Sequence, residues 1–285
     1  MRVTTLARLL KDAFYAWMND RASHLAAALS FYMLFSLAPL LIIIVAAAGM
    51  VFEQSAVRVQ IAEYLHASIG ADAAAAVLLA MENMSRPAAN LIAALVGVVT
   101  LLFGAGVVFG ELQQSLNAIW KVPPGAQSGL LNLLKDHFLS FLMIAGLGVL
   151  LLASLAISTT LAAVSHLLVG ELRHLKVLLR ALDLALSFGV ITLLFAVIYK
   201  VLPDAAVKWD DVWLGAFITA GLFWVGKFLL GLYLGRGSIA SAYGAAGSLV
   251  VILIWVYYTA QILFFGAEFT RAYAAYRAPS AERLS

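Results

Sequence analysis

Two carboxylates in this chain sit where long apolar runs stop. Glu268 follows 31 uncharged residues, 237–267, and Glu111 follows 24, 87–110. A carboxylate inside a bilayer costs about 3 kcal/mol, so an ionised one there needs a partner or a task. Paired with Arg271, Arg21 or Lys121, it is a helix-end ion pair; unpaired, it is a gate or coupling-ion site that takes and releases a proton. Lys227 lies about 22 Å into its own apolar run at ~1.5 Å per residue. Asp183 opens the neighbouring run from the same side, so the two can pair. Lys227 either snorkels to the interface or faces an internal cavity and attracts an anionic head group. Tyr32, Gln114, Asn117, Tyr257 and Gln261 add phenol and amide groups. They can join helices through bonds worth about 0.6 kcal/mol each, or line a substrate path. Pro39 removes one backbone donor and frees the carbonyl of Phe35, which predicts a kink and a movable segment.

Enzymatic chemistry finds little to use. The five histidines, His24, His66, His137, His166 and His174, show no HxH or HExxH spacing, and cysteine is absent. Neither a thiolate site nor a metal-ligand set can be assembled from this pattern. Walker A, GxSxG and Rossmann glycine patterns are missing too. The expectation is a protein with no catalytic centre, no metal and no cofactor.

The elements that must position these residues are long helices in lipid. The chain is 64% hydrophobic and 12% charged, against about 25% charged in soluble domains. A helix crosses a bilayer core with about 20 apolar residues. Six such spans are predicted, near 26–52, 89–112, 138–165, 183–202, 212–234 and 245–267, giving an all-α membrane protein. The opening MRVTTLARLLKDAFYAW reads as an amphipathic surface helix and not as a signal peptide. Leu6, Leu9, Leu10, Ala13, Phe14 and Trp17 form its apolar face, and the whole unit covers 1–24. The transmembrane domain then occupies 25–274 and includes a short helical extracytoplasmic segment at 53–88; a tail follows at 275–285. In the last span Gly247, Ile254, Tyr257, Tyr258, Gln261, Phe265 and Glu268 share one face, which turns towards partner helices.

With six spans both termini share a side. That side carries 11 of the 18 Lys and Arg residues and the opposite side 6, with Lys227 inside a span. The positive-inside rule therefore places both termini in the cytoplasm. Net charge is only +3, with the bases scattered, so a nucleic-acid surface is not expected. Gly106–Gly110 and Gly231–Gly235 are GxxxG patterns, which suit close packing within or between copies, and thus an oligomer. No tandem repeat is visible. The two sets of three spans also show no internal match of the kind found in inverted-repeat transporters.

Four stretches together resemble the YihY/BrkB family of bacterial inner-membrane proteins. They are Ala26-Ala27-Ala28-Leu29-Ser30-Phe31-Tyr32 with Ser36-Leu37-Ala38-Pro39-Leu40; Glu111 to Trp120; Pro203 to Ala216; and Tyr243 to Ser248 with Trp255 and Gly266-Ala267-Glu268. The resemblance covers about residues 24–275. It implies six transmembrane helices in the inner membrane. An old ribonuclease BN label and a serum-resistance label attach to branches of the family, and transport of lipid-like envelope molecules is proposed for relatives. The reading is a membrane protein that transports or binds an amphiphilic envelope molecule, with membrane lipids as partners. Its cavity would lie between spans 1, 2, 5 and 6, and the kinked first span would move. The alternative is a scaffold that docks envelope proteins through the 53–88 segment and the packing glycines. Ribonuclease chemistry is left without ligands.

Overall fold

In the computed structural model, the described residues run continuously over 3–34, 106–123, 173–234 and 247–277. Short pieces between 59 and 82, and positions 146, 149 and 153, are also described. Among the described residues all regular structure is helical. The helices are α1 (Val3–Asn19), α2 (Ala22–Leu34), α3 (106–119), α4 (Arg173–Val201), α5 (Trp209–Leu234) and α6 (Gly247–Arg277). Three of these are long and apolar enough to cross a membrane: α4 over Ala181–Val201, α5 over Trp209–Leu230 and α6 over Leu249–Arg277. They correspond to the last three predicted spans. Pro39, the rest of the first span, most of the second and third, most of 53–88 and the tail beyond Arg277 lie outside the described residues.

The helices form because lipid leaves no other partner for backbone amides. The β-branched run Val250-Val251-Ile252 is helical for that reason, despite its strand propensity. Hydroxyls within the spans are satisfied the same way. Thr192, Thr219, Thr259 and Thr270 each donate to the carbonyl four residues earlier, at 2.7–2.9 Å. Charges at the ends match the helix dipoles: Asp210 and Asp211 in the first turn of α5, Lys200 in the last turn of α4 and Arg277 in that of α6.

α5 packs antiparallel between α4 and α6. Against α4, Phe195 meets Phe223 edge-on at 6.0 Å, and Tyr199 hydrogen-bonds Thr219 at 3.0 Å. Against α6 the approach is closer and rests on two matched Gly-x-x-x-Thr segments, Gly215–Thr219 and Gly266–Thr270. A Cβ at Gly215 would overlap the Thr270 side chain, and one at Gly266 would overlap Thr219 Oγ1 and Tyr199 Oη. Each glycine thus receives the other helix's threonine. Tyr199 closes this seam by also donating to the carbonyl of Leu263 at 2.8 Å.

The apolar face of α1 is divided. Leu9 and Ala13 are buried against Phe269 of α6, with Leu214, Ile218, Phe265, Ala272 and Tyr273 around them. Phe14, Tyr15 and Met18 remain about half exposed, at 48–55%. Protein, and not a membrane surface alone, takes up part of the face that the sequence pattern assigns to the interface. The helix α6 is also longer than its apolar core. It runs on to Arg277 and supplies the surface on which α1 rests.

Candidate functional site

The polar groups gather at one end of the bundle, where the α1–α2 turn, the end of α3 and the last third of α6 meet. Two of these chain reversals use left-handed residues that are not glycine, Arg21 (φ 51°) and Lys121 (φ 57°). Lys121 occupies the position after the α3 cap. Its N–H bonds the Ala118 carbonyl at 3.2 Å and the Val122 N–H bonds that of Asn117 at 2.9 Å, the Schellman pattern that usually takes glycine. A lysine there costs about 1 kcal/mol of backbone strain. In return its ammonium is aimed at Asp20, which it contacts in a charge-assisted hydrogen bond.

Asp20 lies in the α1–α2 turn with its side chain 16% exposed. Glu268 of α6 is fully buried. Arg271 links them: Nη2 is 3.0 Å from Glu268 Oε2 and 3.8 Å from Asp20 Oδ2, while Nη1 donates to the carbonyl of Ile119 at 2.7 Å. The Arg271–Glu268 approach is an ion pair without hydrogen-bond alignment, so both oxygens of Glu268 lack a donor, as does Asp20 Oδ2. The indole N–H groups of Trp17 and Trp120, both packed on the same core, are buried without acceptors. Burial opposes the charged form of Asp20. The Lys121 hydrogen bond, the Glu268 side chain and the Arg271 charge outweigh it and hold the Asp20 carboxyl below its ordinary 3.8.

Next to this junction, Asn117 ties α3 to the α4–α5 loop. Its Nδ2 donates to Asp204 Oδ2 at 2.7 Å, and its Oδ1 accepts from the Asp204 backbone N–H at 2.8 Å. Gln113 reaches the other Asp204 oxygen at 3.3 Å. Lys200 donates to the Val207 carbonyl. At the far end of α6, Arg277 bonds Asp211 at 3.0 Å and lies 3.8 Å from Asp210.

Of the residues singled out in the sequence, the structure brings Glu268 and Arg271 together with Lys121, and gives Asn117 a structural bond. Gln261 is half-buried on α6 with Oε1 unpartnered, and Tyr257 packs on the main core. Tyr32 is 38% exposed, Gln114 is exposed and Glu111 is half-buried. Asp183 and Lys227 are half-buried on α4 and α5, and each makes an interaction. Their helices run antiparallel, and Phe188 of α4 touches Trp224 of α5. A Cβ at Gly110 would meet nothing within 4 Å, whereas one at Gly215, Gly226 or Gly266 would overlap a side chain of another helix; Gly235 lies outside the described residues. Sequence reasoning missed Asp20, Asp204 and the two Gly-x-x-x-Thr segments. The last had a signal, being the small-xxx-small spacing with threonine in the second place; Asp20 had none beyond its position at a helix break.

Apolar helices of membrane-crossing length, joined at one end by a buried ionic junction, define a polytopic helical membrane protein. The chain belongs to the virulence factor BrkB family, whose profile matches residues 13–284. It is similar to a UPF0761 membrane protein of Stenotrophomonas maltophilia strain K279a, at 29% identity over 284 residues, covering 97% of this chain and 64% of that protein. It is also similar to UPF0761 membrane proteins of Alkalilimnicola ehrlichii and of Pseudomonas aeruginosa strain LESB58. Each is 30% identical, covering 90% and 92% of this chain and 56% and 61% of those proteins. The chain thus spans less than two thirds of the length of these relatives. No solved structure matches it.

Proposed function

We propose that the protein binds and moves an amphiphilic, lipid-type molecule in the bacterial inner membrane, with both termini on the cytoplasmic side. The observation that supports this reading is the outward face of α5. Trp213, Phe217, Trp224 and Phe228 stand exposed along it. Phe188 of α4 packs edge-on against Phe217 and Trp224, with ring centroids at 5.1 and 6.4 Å. From Trp213 to Phe228 the helix rises about 22 Å, more than half of a hydrocarbon core of about 30 Å. Such a track accommodates an acyl chain along its length. Lys227, at its margin, supplies a cation for a phosphate-bearing head group.

Lipid mass spectrometry of the purified protein tests this. One amphiphile class should be retained above its share of the membrane. Lys227→Ala should release it at unchanged protein yield, and Lys227→Arg should keep it. Retained lipid that mirrors bulk composition in all three proteins would sink the carrier reading and favour a scaffold.

A further inference from the structure

We propose that Asp20 and Glu268 form a binding site for one exchangeable proton, and that its occupancy holds the junction of α1, α3 and α6 closed. Asp20 Oδ2 and Glu268 Oε2 flank the same nitrogen, Arg271 Nη2, at 3.8 and 3.0 Å. Three of their four oxygens are buried without a donor: Asp20 Oδ2 and both oxygens of Glu268. Two acceptors that face one another in a dry site repel unless a proton stands between them. Arg271 does not fill that place, because its Nη1 is committed to the Ile119 carbonyl and its Nη2 only flanks the pair.

A proton on Glu268, donated as O–H to Asp20 Oδ2, satisfies both groups at once. It leaves Asp20 ionised, hydrogen-bonded to Lys121 through Oδ1. The charged groups that face Glu268 are then Arg271 on its own helix, Asp20 from the α1–α2 turn and Lys121 from the end of α3. Loss of the proton to water leaves two carboxylates against Arg271 and Lys121. Lys121 is 57% exposed, so its charge is screened and does not replace the proton. The relief available is for water to enter between α1 and α6, where the unpartnered Trp17 and Trp120 N–H groups can take it up. The proton leaves by way of Asp20, the more exposed of the two acids.

The experiment uses the full chain, purified, and its lack of cysteine. Infrared titration should show one buried carboxylic-acid C=O band that disappears with rising pH and is absent from Glu268→Gln. In parallel, Ala22→Cys, a fully buried position beside Asp20, is labelled with a water-soluble thiol reagent in both backgrounds. Ionisation of the thiol itself is common to the two, so their rate ratio reports the junction. That ratio should rise with pH by up to about tenfold per unit, the limit for one proton, and Glu268→Gln should stay closed. The proposal is overturned if wild type shows no titrating acid band or if the band persists in Glu268→Gln. A flat labelling ratio overturns it too, as does a band lost on adding sodium at constant pH, which would mark a metal-cation site. The wild-type titration stands alone should the variant fail to fold. None of these readouts depends on whether the protein carries a lipid.

Discussion

Asp20 is the residue on which three chain segments depend. It accepts from Lys121 and faces Arg271 and Glu268. Its folded pKa is lowered, so its contribution is present above the unfolded value and lost as pH falls through the folded one. Asp20→Asn should therefore lower the thermal midpoint at neutral pH by the equivalent of about 1–2 kcal/mol. The gap to wild type should close below about pH 4. Thermal unfolding in detergent across pH measures this, and an equal gap at all pH values would assign Asp20 a purely steric role. Glu268 was legible in the sequence because it interrupts a charge-free run. Asp20 was not, because an acid at a helix break is ordinary until the fold places another acid across from it.

At the scale of elements, the α5–α6 seam rests on the paired glycines and threonines, with Gly226 further along α5 receiving Tyr258 and Ile262 of α6. Without a hydrophobic drive between helices in lipid, close backbone approach and satisfied hydroxyls supply the attraction. Gly266→Val should force Thr219 and Tyr199 aside and destabilise the protein by about 2 kcal/mol, the cost of overpacking. Gly221→Val on α5, where a Cβ meets nothing within 4 Å, should cost far less. Thermal midpoints of the two variants decide this, and equal losses would remove the seam from the argument. That α4, α5 and α6 are helices of spanning length follows from hydropathy. That α1 lies on the extension of α6 does not, since an amphipathic pattern states which face is buried and not what covers it.

For the whole molecule, the ionic junction, the α4–α5 loop and the start of α5 lie at one end of the bundle, the end that the proposed topology puts in the cytoplasm. Single-cysteine labelling of intact cells tests the assignment. Ser85→Cys should react with an impermeant reagent from outside, and Ser128→Cys only after the cells are opened; the reverse pattern would invert the topology. The sequence by itself pointed to the solvent: the charge-free run before Glu268 supplies most of α6, a helix of membrane-crossing length, and the four stretches around Tyr32, Asn117, Gly215 and Glu268 pointed to the family. Tertiary structure alone decided which polar groups meet. Helical periodicity orders residues around one axis and is silent about the rotation and depth of the next helix. The meeting of Asp20, Lys121, Glu268 and Arg271, and the fit of Gly266 onto Thr219, arise from how separate helices dock, which no single helix's residue order encodes.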